Sequence, residues 1–149
     1  MKVISLFDSG REEYWISQIQ KSEWDSSNLL CKILKMGAFH DTFGSNSKML
    51  LLTDGDELVS YCTYAKEDDI PETDLEPWMG FVYTFEKYRG HRYVGLLMDE
   101  VIRLAGEENY SEFYISTTHI GLYEKYGCEY LTGMVDFEGE PTRVYVKKI

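Results

Sequence analysis

The sequence predicts an α/β (α+β) fold in a single domain. Strand-like runs rich in β-branched and aromatic residues alternate with segments whose apolar residues recur at helical spacing, in the order β-α-α-β-β-β-α-β-α-β-β. The chain has 149 residues, of which 44% are apolar, and this suits one hydrophobic core. Because no internal repeat or linker is visible, we expect residues 1–149 to fold as one unit.

The first third of the chain is predicted to hold one strand and two helices. Residues 2–7 are typical of a short strand, and residues 10–20 are typical of a helix. Residues 26–36 are the second predicted helix, because a serine at the start can cap it, apolar residues follow at helical spacing and Gly37 is a natural end. We expect a polar loop at 37–47.

The middle of the chain has the period of strands. Two apolar runs, 47–53 and 57–67, are joined by Asp-Gly-Asp at 54–56, which is a strong signal of a tight hairpin. An acidic loop with prolines, residues 66–78, leads to a third strand-like run at 77–85.

A longer helix is predicted next, because Leu97, Val101 and Leu104 share one face before Gly106. The remaining predicted elements are a strand at 111–117, a short helix at 119–127 that Gly127 ends, and a closing pair of strands at 128–137 and 143–149.

The composition excludes several classes of protein. A net charge of −11, from 26 acidic and 15 basic residues, argues against a general nucleic-acid surface and favours a cationic substrate or partner. Cys31, Cys62 and Cys128 are too few and too widely spaced for a disulfide framework or a metal site, so we expect a cytoplasmic protein with reduced thiols. The N-terminal MKVISLF is too short to span or enter a membrane, and no membrane partner is predicted.

The stretch FEKYRGHRYVGLLMDEVIRLA, residues 85–105, combines a strand end, a turn with a glycine and a helix start. Such a junction presents free backbone N–H groups and the positive end of the helix dipole to one place. Arg89 and Arg92 add positive charge there, so we predict a site for a phosphate or pyrophosphate group. The alternative is that these arginines pair with nearby acids such as Glu86 or Asp99.

This junction resembles the acetyl-CoA site of the GNAT superfamily of N-acetyltransferases, whose strand–loop–helix element carries the pattern Q/R-x-x-G-x-G/A. Arg89 stands at the first position of the pattern, Arg92 and Val94 stand where it has small residues, and Gly95 comes one residue later. The segment STTHIGLYEKYGCEYL is similar to the family's L-Y-x-x-x-G-F element: its Leu, Tyr123 and Gly match, and a cysteine replaces the Phe. The order of elements also matches, so the resemblance covers essentially the whole chain.

The resemblance implies a three-layer fold, in which a central mixed, mostly antiparallel sheet of six to seven strands is flanked by about four helices. It also implies acetyl-CoA as the acyl-donor co-substrate and no metal. The backbone at the end of the strand before the loop would polarise the thioester carbonyl. The residues so implicated in binding the cofactor are Tyr83, Thr84, Arg89, Gly90, His91, Arg92, Tyr93, Val94 and Gly95.

The implied reaction is acetyl transfer to a primary amine by direct attack, without a covalent enzyme intermediate. Tyr123 matches the family's general-acid tyrosine, since a phenol can give its proton to a leaving thiolate; the alternative is a tyrosine that only packs. His119, at the start of the short predicted helix, is a candidate general base, and a histidine that only caps or packs is the alternative. His40, Asp41 and Glu67 are further candidates for the base.

The acceptor is expected to contact the first two helices and the loops at 37–47 and 66–78, because these segments are not needed to bind the cofactor. Candidates for an apolar wall are Trp15, Trp24, Phe39 and Trp78, and candidates that attract a cation are Asp68, Asp69, Glu72 and Asp74. Taken singly, these residues fit core tryptophans and a solvated acidic loop better than an acceptor site. As a group they favour a small-molecule amine, with a peptide or protein lysine or N-terminus as the alternative acceptor.

Two rival functions remain open at this point. One is a sensor that binds acyl-CoA without catalysis, and the other is a structural protein that uses the scaffold to form dimers. A homodimer is also a common arrangement among the enzymes that this sequence resembles.

Overall fold

The structure is a computed structural model that describes all residues, 1–149. It contains seven strands and four α-helices, with short 3₁₀ helices between them. The strands are β1 (Lys2–Ser5), β2 (Lys48–Asp54), β3 (Glu57–Ala65), β4 (Trp78–Thr84), β5 (Glu112–Thr117), β6 (Glu129–Val135) and β7 (Pro141–Lys148). The helices are α1 (Glu12–Ile19), α2 (Asp25–Lys35), α3 (Phe39–Phe43) and α4 (Val94–Glu107).

The seven strands form one mixed sheet in the order β1-β2-β3-β4-β5-β7-β6. All neighbouring strands are antiparallel except β4 and β5, which are parallel. Parallel neighbours need a crossover connection, and α4 supplies it. The predicted α/β (α+β) fold with a mostly antiparallel central sheet is therefore confirmed.

Different helices cover the two faces of the sheet, because side chains alternate along each strand. In β2, Leu50 and Leu52 pack with α4, whereas Met49 and Leu51 pack with the other three helices. α4 contributes Leu97, Met98, Val101 and Ala105 to its layer, and the opposite layer receives Trp15, Ile19, Leu30, Cys31, Leu34, Phe39 and Phe43. Each large apolar side chain buried in this way contributes roughly 1.5–3 kcal/mol. The three-layer arrangement is held by these two cores.

The segment predicted as a polar loop at 37–47 contains α3 instead. Phe39 and Phe43 lie one helical turn apart, and both are buried against the sheet. Their burial outweighs the turn-forming residues around them.

The short helix predicted at 119–127 is only a 3₁₀ helix, Tyr123–Tyr126. Gly121 has a φ of +86°, which a right-handed helix cannot include, so the helix begins after it. Gly127 ends it in the left-handed conformation, as predicted. The first strand also ends early, because a 3₁₀ helix begins at Leu6.

The three cysteines are buried and form no disulfide. None of the helices is both long and apolar enough to cross a membrane. No group of three or more His, Cys, Asp or Glu side chains is arranged to hold a metal ion.

Candidate functional site

Strands β4 and β5 separate to form an opening in the sheet, which we call the fork. They pair only at Trp78 and Tyr114, near the start of β4, and part beyond that point. A bulge accompanies the separation: the register of β4 against β3 shifts between Tyr61 and Thr63, and Phe81 has a φ of +47°. The rest of β4 therefore has no strand partner on the side that faces β5.

The turn between β4 and α4 leaves a run of backbone N–H groups free. None of residues 90–94 donates a backbone hydrogen bond within the chain, and the first donors are Gly95 and Leu96. The first turn of α4 contains no acidic residue and no side-chain cap. The helix start thus offers several free donors and the positive end of its dipole, which is the arrangement that binds phosphate groups.

Two residues of this turn have left-handed φ angles, Gly90 at +86° and Arg92 at +57°. Glycine adopts such an angle freely, whereas for a residue with a Cβ atom the left-handed conformation is unfavourable by about 1–2 kcal/mol. Arg92 stands where the GNAT pattern has a glycine. The backbone therefore follows the pattern although the side chain departs from it.

The two arginines of the turn form no ion pair. Arg89 instead donates from Nε to the carbonyl oxygen of Thr84, at 2.8 Å, and its guanidinium carbon lies 5.3 Å from the ring centre of Tyr83. The salt bridges of the structure lie elsewhere, at Arg11, Lys87 and Arg103. The alternative that Arg89 and Arg92 pair with Glu86 or Asp99 is therefore wrong, and both cationic groups stay available to an anion.

The other residues predicted to bind the cofactor lie in the same turn or begin α4. The rings of His91 and Tyr93 stack at 5.3 Å, and Tyr93 and Val94 pack against the α4 core. A Cβ atom at Gly95 would lie 3.4 Å from the Tyr126 ring, so this glycine lets the 3₁₀ helix approach α4. The structure thus brings residues 89–95 together and gives Gly95 a packing role as well.

The end of β4 directs one N–H group toward the fork. The N–H of Phe85 donates to the carbonyl oxygen of Val59 in β3, at 3.1 Å. Because successive N–H groups of a strand point in opposite directions, the N–H of Thr84 points away from β3. Thr84 is thus the better placed of the two β4 residues, Tyr83 and Thr84, to donate to a thioester carbonyl.

Tyr123 is buried beside the fork, between α4 and the sheet. Its side chain is 4% exposed and packs in the α4 core with Cys62 and Cys128, and its ring lies 6.4 Å from that of Tyr145. Burial is the main reason that the pKa of its phenol is raised; Cys62, Cys128 and Tyr126 add to this effect, and the charge of Asp68 adds less than any of them. The phenol is therefore protonated at neutral pH.

His119 does not begin a helix, contrary to the prediction. It lies exposed in the loop between β5 and the 3₁₀ helix, where its N–H donates to Thr117 Oγ1 at 3.1 Å. Its imidazole has no hydrogen-bond partner. Of the other base candidates, His40 packs its ring against Phe7 at 4.8 Å, and Asp41 and Glu67 are exposed.

The predicted aromatic wall is only partly present. Trp15, Phe39 and Trp78 are buried core residues, so their assignment to an acceptor site is wrong. Trp24 is half-buried and stacks on Tyr83 with ring centres 5.7 Å apart, and Phe81 lies 6.2 Å from it. A wall of Trp24, Phe81 and Tyr83 therefore lines β4 on the face opposite α4.

Asp68 and Asp69, in the loop at 66–78, point toward the protein interior, and the sequence did not predict this. Asp68 lies against Gly80 of β4, while Glu72 and Asp74 are exposed as a solvated loop would have them. Gly80 was the available signal, because a glycine inside a strand often marks close approach by another group. Asp69 is half-buried and interacts with the hydroxyl of Ser116 in β5.

The comparisons with known proteins agree with this geometry. A family model described as the acetyltransferase (GNAT) family matches residues 11–128. No curated protein matches the sequence significantly.

Solved structures share the whole fold at low sequence identity. A Desulfovibrio desulfuricans protein assigned to the GNAT family has a TM-score of 0.70 at 11% identity, covering 98% of this chain and 97% of that chain. An aminoglycoside 6'-N-acetyltransferase complexed with coenzyme A has a TM-score of 0.68 at 13% identity, covering 99% and 97%. A GNAT acetyltransferase of Elizabethkingia anophelis with acetyl-CoA bound has a TM-score of 0.58 at 15% identity, covering 74% and 82%.

These matches show a common fold, and the family model covers most of the chain, including the turn at 89–93 and Tyr123. The chain therefore belongs to the GNAT family of acetyltransferases.

Proposed function

We propose that this enzyme transfers the acetyl group of acetyl-CoA to a primary amine of a small molecule, by direct attack within a ternary complex. The observation that carries the proposal is the run of free backbone N–H groups at 90–94, placed between the β4 end of the fork and α4. Such a run fits a pyrophosphate. Two proteins of the same fold, described above, were solved with coenzyme A or acetyl-CoA.

The residues of the turn fit the proposed cofactor. The N–H groups of 90–94 would bind the pyrophosphate, and Arg89 and Arg92 would add positive charge. The N–H of Thr84 would donate a hydrogen bond to the thioester carbonyl oxygen. When bound, acetyl-CoA supplies an activated acetyl group, whose C–S bond breaks as the C–N bond to the amine forms.

Tyr123 is proposed as the general acid. A buried phenol keeps its proton at neutral pH, and it can give that proton to the thiolate that departs. His119 is the base candidate taken from the sequence. Its imidazole is exposed and no hydrogen bond orients it, whereas packing in the α4 core holds the ring of Tyr123 in place.

The acceptor is proposed to lie against the wall of Trp24, Phe81 and Tyr83. A half-buried aromatic surface beside an acidic loop suits a cationic small molecule, because cations are attracted to ring faces and to carboxylates. The name of the aminoglycoside 6'-N-acetyltransferase specifies an acceptor of this chemical class. A peptide lysine is the second candidate acceptor.

The test is calorimetric titration of acetyl-CoA into the wild-type protein and the Arg89→Ala variant, followed by an amine screen that detects acetylated products by mass spectrometry. We expect binding by the wild type and about tenfold or more weaker binding by Arg89→Ala, since a hydrogen bond from a charged group is worth roughly 1.5–3 kcal/mol. Arg103→Ala is the matched control, because Arg103 pairs with Glu100 and Glu107 farther along α4.

Absence of binding heat from the wild type would rule out the enzyme and the sensor alike. Binding without product from any small amine or lysine peptide would favour the sensor.

A further inference from the structure

Asp68 lies against β4 and Asp69 interacts with a residue of β5, both near the closed end of the fork. Trp78 and Tyr114 form the last pair between β4 and β5. Two residues farther along β4 is Gly80, against which the Asp68 carboxylate lies, with Oδ1 1.9 Å and Oδ2 3.0 Å from the position of a Cβ atom. Two residues farther along β5 is Ser116, whose hydroxyl interacts with Asp69.

The two carboxyl groups are each other's main partners: Asp69 acts on Asp68 through its backbone N–H and its side chain, and only Asp69 has a further partner, the hydroxyl of Ser116. The Oδ1 atoms of Asp68 and Asp69 are both buried and accept no hydrogen bond. No Lys, Arg or His side chain acts on either group. An unpaired buried carboxylate is unfavourable, so it either takes up a proton or binds a cation.

The surroundings of Asp68 raise the pKa of its carboxyl group to near neutral pH, where the protonated and ionised forms are both populated. Burial, and after it the negative charge of Asp69, raises the pKa of Asp68 to about 7. The titratable groups that face it are Asp69 on its own loop and Tyr123 on the 3₁₀ helix, and Asp136 of the β6–β7 hairpin acts on it through Asp69. All three are acidic, so none of them holds Asp68 ionised.

Asp68 lies close to the fork, on the face of the sheet that carries the aromatic wall, and its charge also acts on Tyr123. Gly80 and Ser116 follow Trp78 and Tyr114 with the period of two that keeps side chains on one face of a sheet. The bulge at Phe81 shifts the alternation of β4 by one residue, so this face continues into Phe81 and Tyr83, which belong to the aromatic wall. Tyr123, whose pKa the charge of Asp68 helps to raise, lies in the core of the opposite face.

We propose that Asp68 is the general base, which takes a proton from the ammonium group of the acceptor at the fork. This inference rests on the proposed function. One N–H bond of the ammonium breaks and an O–H bond to Asp68 forms, which leaves the nitrogen lone pair free for attack. As the C–N bond forms and the C–S bond breaks, the nitrogen loses its second proton to water and the phenol of Tyr123 protonates the leaving thiolate from the other face of the sheet. Tyr123 then regains a proton from water and Asp68 releases its proton to water, so one proton is released for each acetyl group transferred.

The experiment compares the wild type with Asp68→Asn, which keeps the shape of the side chain and removes its ability to take a proton. We expect kcat/KM for the best acceptor of the amine screen to fall about 100-fold or more, with the acidic limb of its pH profile lost and the Kd for acetyl-CoA unchanged. Asp99→Asn is the matched control, because Asp99 is an exposed acid of α4 without an ion pair.

Two further measurements separate a base from a structural residue. An analogue of the acceptor with fluorine atoms beside the amine is largely neutral at neutral pH, so Asp68→Asn should lose much less activity with it. Difference infrared spectroscopy of the wild type should show a carboxyl band that titrates near neutral pH and is missing from Asp68→Asn.

The outcomes distinguish this inference from the proposed function. If the wild type transfers acetyl groups and Asp68→Asn retains kcat/KM within about threefold, or loses it equally with both acceptors, Asp68 is not the base and the function stands. If the wild type neither binds acetyl-CoA nor acetylates any amine, the function falls and the inference with it.

Discussion

The carboxylate of Asp68 occupies the space that a side chain at position 80 would need, since its Oδ1 lies 1.9 Å from where a Cβ atom of Gly80 would stand. Nonbonded atoms do not approach so closely, so the carboxylate must move away if any larger residue replaces Gly80. A loop residue thereby presents its acid on the surface of a strand, at the point where the sheet opens.

Gly80→Ala is expected to lower the free energy of unfolding by about 1–3 kcal/mol, because it overpacks a buried site. Urea unfolding measures the change, and Gly106→Ala is the matched control, since no atom lies within 4 Å of a Cβ atom placed there. The double variant Asp68→Ala with Gly80→Ala should recover part of the loss. Additive effects in this double-mutant cycle would show that the two residues do not compete for space.

The stability of the wild type should fall as the pH rises from about 4 to 7. The folded-state pKa of Asp68, raised to about 7, lies above its unfolded value of about 3.9, so only the folded state holds this proton within that window. The contribution is complete below pH ~4 and is lost as the pH rises through ~7, at up to about 1.4 kcal/mol per pH unit. Urea unfolding across this range should show a shallower fall for Asp68→Asn, and parallel curves would contradict the prediction.

Arg92→Gly should be more stable than Arg92→Ala. The φ of +57° at this position is unfavourable for any residue with a Cβ atom, and glycine removes a penalty of about 1–2 kcal/mol. Because both variants lose the same charge, the comparison isolates the backbone. Thermal unfolding gives the difference, and equal melting temperatures would mean that the turn relaxes out of the left-handed region.

Tyr123→Phe should reduce kcat about 100-fold while leaving the affinity for acetyl-CoA near its wild-type value, because the phenol is needed only when the thiolate departs. Steady-state kinetics and calorimetry measure the two quantities. Tyr130→Phe is the matched control, since Tyr130 is exposed on β6 and lies outside the proposed site. A normal kcat in Tyr123→Phe would assign the proton to another group.

Local patterns explain which parts of the site could be predicted. The turn at 89–95 and the tyrosine of the 3₁₀ helix are contiguous in sequence, and their backbone geometry depends mainly on neighbouring residues, as the positive φ at Gly90 illustrates. Burial could not be predicted in the same way. Trp24 and Trp78 have the same side chain, yet the first lines a half-buried wall and the second is a core residue.

The sequence by itself determined the order of the strands and of the longer helices, the glycine turn before α4 and the position of Tyr123, because periodicity and turn chemistry act over short distances. Only the tertiary structure decided where β4 and β5 part, and that Asp68 meets Gly80 there. Sheet pairing and loop packing bring together residues that are distant along the chain. The pKa of a carboxyl group depends on its neighbours in space, so the sequence could not distinguish Asp68 from the other acids of its loop.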